Sequence, residues 1–95
     1  MSAIDESTAL ALVKTRLNRM PNDTTLDEYL YRRIEAAAQA LEATGIVLTD
    51  SSADLMLVVD YTVWEYGNRD RERGMPEWLR LRRRERWLQQ RRPEE

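Results

Sequence analysis

Apolar side chains recur along this chain at helical spacing, in four stretches separated by turn signals. Leu10, Val13, Leu17 and Met20 follow one another at intervals of 3, 4 and 3, one face of a helix. That helix is predicted from about Ser7 to Arg19, with Asp5 and Glu6 at its positive end and Pro21-Asn22-Asp23 beyond it. Leu26, Leu30, Ile34, Ala37 and Leu41 form the next stripe. Thr25-Leu26-Asp27-Glu28 reads as a capping box opening this second helix, in which the Glu28 side chain reaches back. Ala36-Ala37-Ala38 favours the helix and a close neighbour, and Gly45 stands where a C-terminal cap belongs.

Ile46-Val47-Leu48 is a short apolar bridge, expected to lie extended under the bundle. Ser51 and Asp54 then have capping-box spacing for a third helix, from about Ala53 to Tyr66. Leu55, Val58, Val59, Thr62 and Tyr66 share one face, while Leu57, Tyr61 and Trp64 share another. A helix apolar on two faces is central, or is covered by a neighbouring subunit. Its β-branched residues admit a strand reading, but the uninterrupted length favours helix. Gly67 to Gly74 is a polar loop. Pro76 suits the first turn of a fourth helix reaching about Gln90.

At about 100° per residue, Trp78, Leu81 and Leu88 share one side of that fourth helix. Trp78 is therefore expected to anchor it to its own bundle. Leu79 and Trp87 project elsewhere, among Arg80, Arg83, Arg84 and Arg86, and are expected to meet a partner. The fold class that follows is all-α. It is a compact bundle of about four short helices over residues 1–74, with an arginine-rich helix or arm over 75–95 in the same single domain.

Charge sharpens the division. Residues 1–68 carry five basic against eleven acidic side chains, a net of −6, whereas residues 69–92 carry ten arginines against four acids, a net of +6. The total of −2 hides this polarity, which suits charged partners or copies of the chain meeting in a fixed orientation. With 95 residues the core is modest. The apolar run at 55–59 is too short to span a bilayer, and no signal peptide is legible at the N-terminus. A soluble, cytosolically made protein is expected.

Candidate chemistry is sparse. The chain has no cysteine and no histidine. That removes thiolate zinc sites and the commonest general base and metal ligand. Lys14, the sole lysine, reads as solvated surface. Asp5, Glu6, Asp27 and Glu28 read as helix-start charges. No catalytic, cofactor or metal residue is expected, and the chain is not expected to be an enzyme. Asp60 differs, because it lies within an apolar helix. A carboxylate there requires a cation, with Arg32, Arg33 or Arg69 as candidates. Tyr61, Trp64 and Tyr66 read as packing residues.

The arginine segment admits three readings. It is a solvated helix face, a nucleic-acid contact using guanidinium groups and tryptophans, or a protein interface. Trp and Arg are the residues most enriched at interface hot spots. The interface reading names Trp78, Leu79, Arg80, Arg83, Arg84, Arg86, Trp87 and Arg69.

The order of features resembles a known family. An amphipathic first helix precedes an Ala-rich helix ending "ALEATG", a short bridge, a third helix "ADLMLVVDYTVWEYGNRD" and a closing "GMPEWLRLRRRERWL". This resembles the small head–tail connector, or adaptor, proteins of tailed bacteriophages. Trp64, Tyr66 and Arg69 match that family's aromatic-x-x-Arg pattern, and Met75-Pro76 with Trp78 and Leu79 match its Met-Pro segment. The likeness covers about residues 7–90. Arginine at 80–86 is denser than the pattern. The resemblance implies a non-catalytic subunit of a homo-oligomeric ring below the portal protein, commonly twelve-fold. That ring extends the DNA channel and receives a stopper or tail-completion protein. It also implies a place in the virion neck, after synthesis in the host cytoplasm, near genomic DNA and away from membrane. Two other classes remain open at this point: a small nucleic-acid-binding regulator using the arginine arm, and a toxin–antitoxin-like partner-binding protein.

Overall fold

The computed structural model describes residues 4–68 and 74–91, and places four helices there: α1 Glu6–Arg16, α2 Asp27–Ala43, α3 Ser52–Gly67 and α4 Glu77–Arg91. No strand occurs among the described residues, so the apolar 55–63 stretch is helical despite its β-branched content. α1, α2 and α3 pack on one another, and α4 lies along α3. The molecule measures 47 × 29 × 19 Å.

α1 ends three residues before the expected Arg19. Asn18 takes a left-handed conformation, φ 60°. Its N–H donates to the Thr15 carbonyl (3.1 Å) and the Arg19 N–H to the Lys14 carbonyl (2.8 Å). This pair of bonds is a Schellman motif, with asparagine standing where glycine is commoner. The reversal leaves Met20, the last residue of the predicted stripe, exposed. It also turns Lys14 inward, correcting its assignment to the surface. Lys14 is buried, and its Nζ lies 3.0 Å from both the Pro21 carbonyl and Asp27 Oδ1.

The capping box at Thr25–Glu28 does not form. Leu26 occupies the cap position with no side-chain cap bond. Glu28 reaches forward to Arg32 Nε at 3.0 Å, and Asp27 is taken by Lys14. The turn is held one step earlier, where the Thr25 N–H donates to Asp23 Oδ1 (3.1 Å). The stripe itself is as expected, with Leu30, Ile34, Ala37 and Leu41 fully buried.

Gly45 closes α2 with φ 99°, a conformation that glycine adopts without strain. A side chain there would also approach Trp87 Nε1 to 3.0 Å. Beyond it, Ile46 and Leu48 are buried and Val47 is exposed, so the bridge alternates as an extended segment does. Ser51 caps α3, its hydroxyl accepting from the Asp54 N–H (3.2 Å). α3 is central: Leu57, Val58, Val59, Tyr61 and Thr62 are all buried. Tyr61 packs edge-on against Trp64, with ring centres 5.5 Å apart. Burial, then the nearby Glu65, raises the Tyr61 hydroxyl above its ordinary pKa, against a smaller opposing effect of Arg83.

Candidate interaction face of the C-terminal helix

The side of α4 turned to the bundle is mostly polar, its apolar contacts being Leu79 and Trp87. Leu79, Arg82, Arg83, Arg86 and Gln90 recur at helical spacing on this side. Leu79 is 0% exposed and enters the core, while Trp87 and Met75 pack half-buried against its edge. The rest of the attachment is ionic and hydrogen-bonded. Arg86 grips Asp54 bidentately, Nε to Oδ1 at 2.7 Å and Nη2 to Oδ2 at 3.0 Å. Asp54 also accepts from the Thr49 N–H (2.7 Å) and hydroxyl (2.8 Å). Burial alone would raise the Asp54 pKa, but the bonds from Arg86 and Thr49 outweigh it and hold the carboxyl below its ordinary value. The hydrogen bond to Asp54 in turn raises the Arg86 pKa above its ordinary value, against the opposing effect of burial.

Asp60 is a buried ion-pair member, as its position in α3 predicts, but with different partners. Arg16 Nη1 reaches Oδ1 at 2.6 Å and Arg82 Nη1 reaches Oδ2 at 2.5 Å, so one carboxylate joins α1, α3 and α4. Arg32 instead sits between Glu28 and Glu35. Arg33 donates to the Glu65 carbonyl (3.2 Å) and lies over the Tyr29 ring. Arg69 lies outside the described residues. At the far end, α4 treats the 45–47 bridge like a neighbouring strand. Arg86 Nη2 donates to the Val47 carbonyl (2.7 Å), the Val47 N–H donates to Gln90 Oε1 (2.9 Å), and Gln90 Nε2 donates to the Gly45 carbonyl.

This docking reverses the expected faces of α4. Trp78, Leu81 and Leu88 share a side, as the spacing requires, but it points away from the bundle: they are 49%, 49% and 45% exposed. Leu79 and Trp87, expected outside, face inward. The reason is the pull of Asp54 and Asp60. Satisfying two buried carboxylates fixes the rotation of α4 more strongly than burying Leu81 and Leu88, because an unpaired buried charge is the costlier alternative.

Of the arginines assigned to an interface, Arg86 is therefore an internal residue. Arg80, Arg83 and Arg84 line an open cleft of about 290 Å³ with Trp87 and Thr44. Among the described residues, none of these three arginines pairs with a carboxylate. A second groove, at the start of α1 and the middle of α2, has the opposite charge. It is lined by Asp5, Glu6, Glu35 and Glu42 over a floor of Ile4 and Ala38, with Gln39 beside them.

Sequence reasoning missed Lys14, Arg16, Asp54, Arg82 and Gln90 as fastening residues. Asp54 carried the one usable signal, because it is an acid at the first turn of a largely apolar helix. Its partner lies 32 residues away, which no local pattern reveals. Among the described residues, no cluster of three potential metal ligands comes together, and no helix is long and apolar enough to cross a membrane. Comparison with protein-family models, curated proteins and solved structures found no match.

Proposed function

We propose that this protein is a non-catalytic structural subunit that docks on other proteins through the outer face of α4, and that it serves as a head–tail connector in a phage neck. The observation that carries the reading is the exposed stripe of Trp78, Leu81 and Leu88 on a helix whose opposite face is already fastened to the bundle. An apolar stripe bordered by arginines has the make-up of a protein-binding surface: a desolvated aromatic and aliphatic centre with a charged rim. The charge polarity along the chain suits a ring, where one face of a subunit meets a different face of the next. The resemblance in feature order supplies the neck and the portal as the setting.

The test is Leu81→Asp with Leu88→Asp. Both side chains are about half exposed, so the melting temperature is expected to stay close to wild type, while incorporation into neck particles on a portal ring is lost. Normal incorporation of this variant sinks the reading.

Nucleic-acid binding by the arm is the second reading, favoured by the unpaired Arg80, Arg83 and Arg84. It draws on fewer groups than the sequence offers, since Arg82 and Arg86 are held by carboxylates and Trp87 packs inward. Tight binding to random duplex DNA with a steep salt dependence would favour it.

A further inference from the structure

Two oppositely charged surfaces lie on different parts of the subunit, and among the described residues no carboxylate pairs with the arginines of the first and no basic side chain lines the second. On α4, Arg80, Arg83, Arg84 and Trp87 occupy one flank at spacings of 3, 1 and 3 residues. They line, with Thr44, the cleft beside the end of α2. Three guanidinium groups within about one helical turn concentrate positive charge around an indole edge. Glu77 and Glu85, the acidic residues of α4, do not line this cleft.

The acidic groove has matching construction. Asp5 and Glu6 come from the start of α1, and Glu35 and Glu42 from the side of α2 that faces them. No basic side chain lines it among the described residues. Arg32 reaches Glu35 only from the neighbouring turn, at 3.4 Å. Asp5 stays ionised, its pKa lowered by hydrogen bonds from Thr8 and Ser7. The floor of Ile4 and Ala38 is apolar, so the groove offers a carboxylate rim around an apolar base, as the cleft offers a guanidinium rim around an indole.

The two surfaces share no residue. One copy therefore presents both at once. We infer that the Arg80/Arg83/Arg84/Trp87 cleft of one copy receives the acidic α1–α2 groove of a second copy, joining subunits head to tail. The two surfaces are complementary in charge. Guanidinium groups meet carboxylates bidentately, and like-charge surfaces elsewhere reject the wrong orientation. Such a contact is heterologous, and propagates from copy to copy until the rotation closes. This inference rests on the reading of the protein as an assembling subunit and adds which two surfaces meet.

The test exploits the absence of cysteine. A spin label on Gln39→Cys, in the groove of an unlabelled-isotope copy, is mixed at high concentration with ¹⁵N-labelled wild type. The expected result is broadening of the Trp87 indole signal and of the Arg80, Arg83 and Arg84 amides, fading as salt is raised. Glu35→Arg with Glu42→Arg on the spin-labelled copy should abolish it. Pairing that copy with ¹⁵N-labelled Arg83→Glu with Arg84→Glu should restore it, since the charges are then exchanged. No broadening, broadening confined to the Leu81 and Leu88 side, or failure of the exchanged pair to restore it overturns the inference. Shifts at the same arginines with random duplex DNA, without broadening between copies, overturn it in favour of a phosphate-binding cleft. Loss of self-contact with retained portal docking discards this inference alone. Loss of portal docking in Leu81→Asp with Leu88→Asp, beside intact self-contact, leaves it standing.

Discussion

Two aspartates of identical chemistry, Asp54 and Asp60, carry unequal weight because their neighbours differ in burial. Asp54 is 1% exposed, and its partner Arg86 is 16% exposed at the side chain. Asp60 is buried too, but Arg16 and Arg82 are 42% and 43% exposed, so water can take over their hydration. Asp54→Ala, which strands a mostly buried guanidinium and the Thr49 N–H, is expected to cost about 3–5 kcal/mol. Asp60→Ala is expected to cost less, about 1–3 kcal/mol. Urea unfolding of both variants checks the order, and a larger loss at Asp60 would reverse it. Asp54 also sets a pH dependence. Its folded pKa lies below its unfolded value, so its contribution is present above the ordinary carboxylate range. That contribution is lost as pH falls through the folded value. Wild type should therefore lose stability on acidification more steeply than Asp54→Asn, measured as melting temperature against pH.

At the scale of the element, α4 is fastened by polar groups around a single deep anchor. Leu79→Ala should cost about 2–5 kcal/mol, the range for a buried leucine. Trp78→Ala should stay within about 0.5 kcal/mol, as expected of an exposed site. This ordering is the reverse of what hydrophobic spacing alone implies, and thermal melting of the two variants decides it. Periodicity sorts a helix into sides but does not say which side faces home. Where one side offers Leu81 and Leu88 and the other offers arginines to buried carboxylates, the carboxylates win. α1 and α2 teach a smaller lesson. Asn18 in a Schellman turn stopped α1 early, and an aspartate-anchored turn replaced the capping box, because Lys14 and Arg32 claimed Asp27 and Glu28.

At the scale of the whole molecule, the core is small and the outer face of α4 is left bare. In isolation the protein is expected to be monomeric or weakly associating, and to assemble on a portal ring where neighbours cover that face. Mass measurement with and without portal tests this, and a tight closed dimer in both conditions would exclude the ring. The charge polarity is expected to orient such association, and raised salt should weaken it.

Local chemistry alone determined the four helices, the extended bridge, the Gly45 cap, the Ser51 cap and the need of Asp60 for a cation. Each rests on backbone preference, side-chain period or desolvation, which act over a few residues. The sequence likewise marked the 78–88 segment as the most unusual part of the chain. Only the tertiary structure decided which arginines are spent inside and which remain outside. Arg16 and Arg82 meet Asp60, and Arg86 meets Asp54, across separations of 44, 22 and 32 residues. Pairings over such distances depend on where the helices lie in space. The arginines look alike in sequence because charge carries no address, and the buried carboxylates of α3 select among them.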